Sequence, residues 1–392
     1  MELFRLIERR CITCFRLNAK SCRVRVAARS AANFTWVPEQ PPKRGNMKLS
    51  TLLFLTPAVT VLLTADVARG QDNSMITLQV SQNDAALASF SFRATGLAGS
   101  TTPAPSSALD NASDGEIPAI TPPGFYPDDV TNPRHLPAVV TTEHHPIYVD
   151  NVPSHWGDVG GFLTDLGKSD FIHVVDQYVG SFAGNRYKLG TQFIAPTYPI
   201  PPNHTLQVLD VAILAHAAAS IKGNGFGHYY HVFLPKGVDM CLPPPAAGAP
   251  PECYSPDNPA TWVFCAFHGA FVFHDLGEVI FSLEPYTDVI GCSVPPSGTA
   301  NSQLVDSTDN VLSHEVFEGL SDPDGREWWV HNFTFANGAE IGDLCTRAAR
   351  FPDGHFYWSF GQVSLNGHNY TIQPEYSNQF HGCSYRPEGG DE

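Results

Sequence analysis

The stretch Ser313-His314-Glu315-Val316-Phe317-Glu318 carries the pattern His-Glu-x-x-Glu, and Glu340-Ile341-Gly342-Asp343 follows shortly downstream. On a helix, residues four apart stack on one face, so His314 and Glu318 can grip one ion from the same side. Glu315 stands about 100° around the axis, where it can act on a water held by that ion. This is the logic of the H-E-x-x-H helix of zinc proteases, with the second histidine replaced by a carboxylate. Carboxylates are legitimate zinc ligands, and two His plus one Glu is a known catalytic set. Glu340 and Asp343 are the candidates for the third ligand. The plainer reading is a surface helix on which one His and two Glu are simply solvated.

Whatever the chemistry, a helix has to present it. Asp306 and Ser307 can cap that helix, while Val311, Leu312, Val316 and Leu320 give it an apolar stripe. Gly319 and then Asp322-Pro323 are expected to end it. Upstream, residues 145–149 read as a strand, 159–179 as a helix, 187–194 as a strand and 206–221 as a strongly apolar, buried helix. Residues 229–234, 262–273 and 278–283 are strand-like by their aromatic and β-branched content, as are 356–365 and 370–372. Alternating helices and strands predict an α/β or α+β fold, a mixed sheet with packed helices. The layout is compatible with a zincin-like catalytic domain, by fold analogy alone.

The ends of the chain read differently. Met47-Lys48, an apolar run over 49–65 and then Ala68-Arg69-Gly70-Gln71 have the parts of a secretory signal peptide, expected to span 47–70. Residues 1–46, with ten Lys/Arg against three Glu, read as a gene-model extension; an Arg-rich mitochondrial presequence is the rival. Residues 71–134 are rich in Ser, Thr, Ala, Pro and Asp and read as a linker or stalk, with room for a strand or two over 75–92. One globular domain is expected over 135–386, followed by a polar tail at 387–392 that offers no lipid anchor.

Charge and cysteines narrow the setting. The chain carries 23 basic and 39 acidic residues, a net of −16. Residues 71–392 keep only 11 basic against 35 acidic residues, a surface that repels phosphate backbones, so nucleic acid is excluded as a partner. Cys11, Cys14 and Cys22 precede the leader; Cys241, Cys253, Cys265, Cys292, Cys345 and Cys383 follow it. Six cysteines without a C-x-x-C pair read as three disulfides, with fifteen connectivities open. Asn111, Asn203, Asn332 and Asn369 stand in glycosylation sequons after the leader. No G-x-S-x-G elbow and no phosphate-cradling glycine motif occurs.

Four phrases in consistent order resemble the phosphate-induced (Exordium) family of secreted proteins in its microbial form. They are Phe264-Cys265-Ala266-Phe267-His268, the segment 305–323, the segment 339–345, and Gln373-Pro374-Glu375-Tyr376-Ser377-Asn378 leading to Cys383. The resemblance implies a secreted, extracellular or cell-wall protein. Plant members, linked to growth signalling, lack the His-Glu pair; microbial relatives carry it with the Glu-x-x-Asp segment, which implies that the acidic positions work as a set. That pattern also favours Asp343 over Glu340, and it keeps His268 as a support for a ligand, although a histidine on an apolar strand is more often a satisfied core residue. His144, His145, His228 and His231 read as loop or strand-face residues, and Trp328-Trp329 as a core or cleft wall. Cys345–Cys383 is the expected bridge, tying the acidic segment to the C-terminal strands.

Two functions remain in view. One is a secreted zinc-dependent hydrolase, a metallopeptidase acting on protein or peptide, with Glu315 as base and His314, Glu318 and Asp343 or Glu340 as ligands. The other is a non-catalytic extracellular protein of the Exordium-like kind, whose acids hold a structural ion; oxygen-rich ligands also suit calcium.

Overall fold

The helix that carries the motif runs Gln303–Ser321, longer than the cap at Asp306 would allow. Ser302 is the true cap, its side chain accepting from the Val305 amide at 3.3 Å. Asp306 and Ser307 lie inside the first turns, and every residue from Asp306 to Ser321 is buried. Their polarity misleads because Ser307 and Thr308 return their hydroxyls to the carbonyls of Gln303 and Leu304 (2.6 and 2.9 Å), a bond a helix interior can satisfy. Gly319 does not stop the helix; Asp322 does, at backbone angles outside the helical region.

The computed structural model describes residues 129–387 except 151, 243–251, 256–263, 288, 290–291, 297–300, 331–339, 347–348, 351–355 and 358–359, with the backbone of upstream strands at 62–66, 76–82 and 85–95. The sequons at Asn111 and Asn332 and the first three cysteines lie outside the described residues; Asn203 and Asn369 are exposed.

The fold is of mixed α/β content, as expected. Strands β1 (Leu62–Asp66), β2 (Ile76–Gln82), β3 (Ala85–Thr95), β4 (Thr142–Tyr148), β5 (Tyr187–Leu189) and β6 (Gln192–Ile194) come first. After β7 (Thr205–Gln207) follow β8 (His228–Phe233), β9 (Asp239–Leu242), β10 (Glu252–Tyr254), β11 (Phe267–Phe273) and β12 (Gly277–Glu284). The main sheet runs β1-β2-β3-β6-β4-β8-β12-β11, with β5 also on β4. Its centre, β4, β8 and β12, is parallel, and β11 closes one edge antiparallel. The stretch read as leader and linker thus contributes three strands, the third pairing with β6.

Two readings need correction. Residues 159–179 are not one helix: Val159–Leu166 ends at Gly167, and a 3-10 turn (Phe171–Val175) and a short helix (Asp176–Val179) follow. Ser169 folds its hydroxyl back onto the Leu166 carbonyl at 2.8 Å, which favours a turn over another helical bond. Residues 187–194 form two strands, because the intervening Thr191 carbonyl is taken by the His145 ring at 3.0 Å.

Helices cover both faces of the sheet, the arrangement a parallel centre requires. Val208–Lys222 packs against one face with Val211, Leu214, Ala215 and Ala218 fully buried, and a Gln207/Asp210 capping box starts it. The motif helix packs against the other, between β11–β12 and the hairpin Gly361–Leu365/His368–Ile372. Val311, Leu312, Val316, Phe317 and Leu320 are its fully buried apolar residues, with the Phe317 and Phe171 rings 4.6 Å apart. A polar chain threads the sheet itself: His144 Nδ1 meets His231 Nε2 at 2.8 Å, His231 Nδ1 meets Ser282 Oγ at 2.7 Å, and that hydroxyl donates to Glu284 Oε1 at 2.6 Å. His144, His145 and His231 are therefore interior groups rather than loop or face residues. All six later cysteines are paired, as Cys241–Cys253, Cys265–Cys292 and the expected Cys345–Cys383. Among the described residues no helix is long and apolar enough to cross a membrane.

Candidate metal centre

The motif helix is pinned before any ligand is considered. Tyr229 on β8 donates its hydroxyl to the Glu315 carbonyl at 2.7 Å, fixing the height of the motif against the sheet. On the far side the segment 340–345 folds into a tight turn, held by Cys345–Cys383 and by the Tyr376 amide on the Ile341 carbonyl at 2.9 Å. Gly342 is what allows the approach: a Cβ there would lie 2.6 Å from His314 Nδ1 and 2.8 Å from Glu318 Oε1. With the glycine in place, the Asp343 amide donates to Glu318 Oε1 at 2.8 Å.

The side chains converge as the spacing predicts. His314 Nε2 lies 3.2 Å from Glu318 Oε2 and 3.8 Å from Asp343 Oδ1. One donor atom from each of these three residues falls within 4.8 Å of the others. Two ligands about 2.0–2.1 Å from a tetrahedral zinc ion lie about 3.3 Å apart, so the separations suit one ion. Glu340 is elsewhere: its Oε1 faces His268 Nε2 at 3.4 Å. Of the two candidates for a third ligand, the geometry groups Asp343 with the motif and sets Glu340 beside His268.

His268, read mainly as a core residue, is the hub of the other half. Its Nδ1 lies 3.3 Å from Glu315 Oε2 and 3.5 Å from Glu318 Oε2, and its Nε2 donates to the Asp322 carbonyl at 2.9 Å. His268, Glu315 and Glu318 form a second group of converging donors, sharing Glu318 with the first. The one sequence signal for His268 was its place in the Cys265–His268 phrase; β11 reaches the motif only through sheet pairing with β12. Glu284 and Glu327 carried no signal, and Asp322 and Glu375 were given no part in the site, although all four are buried around or beside the motif.

Electrostatics follow from crowding acids into the interior. Burial depresses the His314 imidazole, but the carboxyls of Glu318, Glu315 and Asp343 together outweigh it and hold the ring well above its ordinary value. Burial likewise opposes charge on His268, yet Glu340, Glu315 and Glu318 together hold it well above. Glu318 is the reverse: burial would raise it, but His314 and His268 keep its carboxyl well below the usual range. Burial, with Glu318 next, raises Asp343; burial also raises Glu315 against the pull of His268 and His314. Glu340, Glu284 and Glu375 are all raised, burial first. Asp322 is pushed by burial and Glu340 up to about 7, and Glu327 by burial and Asp322 up to about 8. So many interior carboxyls around two imidazoles form a donor set whose charge a divalent cation can balance.

No protein-family model matches the chain, and no curated protein or solved structure matches it at significant similarity.

Proposed function

We propose that the protein is a secreted zinc-dependent hydrolase, a metallopeptidase. One observation carries the reading: His314, Glu318 and Asp343 bring three donors to one point, while Glu315, on the same helix, is left outside that set. When bound, zinc supplies a Lewis acid for the scissile carbonyl. Glu315 Oε2 takes a proton from the attacking water and delivers it to the leaving amine, which its raised proton affinity suits. His268 positions that carboxylate through Nδ1 and is itself fixed by the Asp322 carbonyl. Solvent meets the site at the edge formed by Glu340 and Asp343, whose side chains keep 19 and 17 % exposure against 2 % for Glu315. Three disulfides and an acidic composition support export.

The burial of Glu315 favours a second reading, in which the acids hold a structural ion, zinc or calcium, in a non-catalytic extracellular protein similar to the Exordium family. Elemental analysis of the purified chain and a peptide-hydrolysis assay on Glu315→Gln and His314→Ala separate the two. The hydrolase reading expects about one zinc at this site, a loss of turnover of about 10²–10⁴-fold with metal retained in Glu315→Gln, and loss of both in His314→Ala. Metal retained with no Glu315-dependent hydrolysis of any peptide would leave the structural reading in its place.

A further inference from the structure

On the opposite face of the sheet, where β4 and β8 begin, three further side chains converge. Glu143 and His145 alternate onto that face from β4, and His228 opens β8 directly opposite Glu143 in the parallel register. His145 Nε2 lies 3.0 Å from His228 Nδ1 and 3.8 Å from Glu143 Oε2, and one donor from each residue falls within 4.8 Å of the others. We propose that Glu143, His145 and His228 form a second metal site, for a borderline divalent ion of the zinc, copper or nickel class.

The tautomer supports it. His145 Nδ1 faces the Thr191 carbonyl at 3.0 Å, and a carbonyl only accepts, so Nδ1 carries the hydrogen. On the neutral ring the Nε2 lone pair is then left aimed at His228 and Glu143. A ring nitrogen donating to a backbone carbonyl while the other faces a metal is the usual way a ligating histidine is held. Both rings are also immobilised. A Cβ on Gly190 would lie 2.6 Å from His145 Nδ1, and one on Gly223 would lie 2.5 Å from His228 Nε2, so backbone packs tightly against each imidazole. Tyr230 stacks on His145 with ring centroids 5.0 Å apart and donates its hydroxyl to the Gly223 carbonyl at 2.6 Å.

The surroundings balance. Lys222 acts against charge on the His145 ring, and Glu143, half exposed, brings a carboxyl group to the same ring. The carbonyl end of helix Val208–Lys222, closed by the Gly223 amide on the Ala219 carbonyl at 2.9 Å, adds partial negative charge. The 3.0 Å between the two nitrogens is close to the roughly 3.3 Å of two ligands on one tetrahedral zinc. Nitrogen and carboxylate donors suit zinc, copper and nickel better than calcium or magnesium. An ion here would fasten the starts of two central strands to each other, a structural task on the face away from His314.

The test is metal stoichiometry on the full chain. Metal-depleted protein is titrated with Zn²⁺, freed of excess and analysed, and the same is done for His145→Ala, His228→Gln and Glu143→Gln. Each histidine variant should lose one equivalent relative to the parent, whatever the His314 site holds, and Glu143→Gln should weaken that equivalent by about 10–100-fold or more. Titration with Cu²⁺ should give an electron paramagnetic resonance signal split by two imidazole nitrogens that His228→Gln reduces to one. Because His145 is interior, His228→Gln and Glu143→Gln decide the matter if His145→Ala fails to fold. Unchanged stoichiometry and an unchanged copper signal in both would reduce the pair to an ordinary imidazole–imidazole hydrogen bond and overturn the proposal.

Discussion

Zinc binding to the metal-free protein should expel protons, and their number follows from the site. His314 is held towards the imidazolium, since Glu318, Glu315 and Asp343 together more than offset the depressing effect of burial. Asp343 is held towards its neutral form, since burial and Glu318 both disfavour its charge. A ligand must offer a bare lone pair, so each gives up one proton when the ion enters. The sign is then fixed: both protons are bound at low pH, so apparent affinity rises with pH until both folded-state values are passed. Each proton contributes about 1.4 kcal/mol, or tenfold, per pH unit, so affinity climbs about 100-fold per unit wherever both protons are still bound and about tenfold where one is. Calorimetry in buffers of different ionisation heat counts the protons, and chelator competition across pH gives the slope. Asp343→Asn should lower the slope by about one as well as weakening binding, whereas Glu340→Gln should leave the slope near that of the parent. A parent slope below one, or an Asp343→Asn variant that binds and releases protons as before, would refute the assignment of ligands.

Three other outcomes are expected. Asp322 and Glu327, raised to about 7 and about 8, take up protons on folding, so the metal-free protein should melt at lower temperature as pH rises from 5 to 8. Glu327→Gln should flatten that fall, and an equally steep profile would contradict the pairing. Replacing Cys345 and Cys383 together by Ser opens a separation of 38 residues and should cost about 4 kcal/mol by the loop-entropy relation, with weaker metal binding because Asp343 loses its tether; urea titration and metal competition measure both. Tyr229→Phe should cost about 0.5–1.5 kcal/mol in urea unfolding, the worth of its one hydrogen bond to the Glu315 carbonyl, and a loss beyond about 3 kcal/mol would mean that the hydroxyl does more.

The motif was legible because a helix converts sequence spacing into geometry: His314 and Glu318 meet through local periodicity alone. Strands β8 and β12 and the helix Val208–Lys222 were legible for a similar reason, as dense apolar runs bounded by polar turns. His268 was not, since its neighbours come from the motif helix and from Glu340, and only the pairing of β11 with β12 brings them together. Nor did anything mark Glu284: it ends an otherwise apolar strand and becomes an interior acid only when the motif helix covers it. The start of that helix was misplaced because Asp306, Ser307, Thr308, Asp309 and Asn310 look like surface residues, whereas all five are buried. Amphipathic patterning fails for a helix enclosed on every side.

The chain of bonds from His144 to Glu284 also bears on how the sheet finds its alignment. Ser282 donates to Glu284 and so must accept from His231 Nδ1, which leaves His231 Nε2 to accept from His144. One carboxyl thus dictates the tautomers of two imidazoles on two neighbouring strands. Strands β4, β8 and β12 are covered on both faces, and sliding one of them by two residues would keep each side chain on its own face. Apolar contacts therefore discriminate poorly between such alignments. The polar chain does not, because a slide would strand several interior donors and acceptors at about 1–3 kcal/mol each. The histidines act as a key for strand register that greasy neighbours alone could not cut.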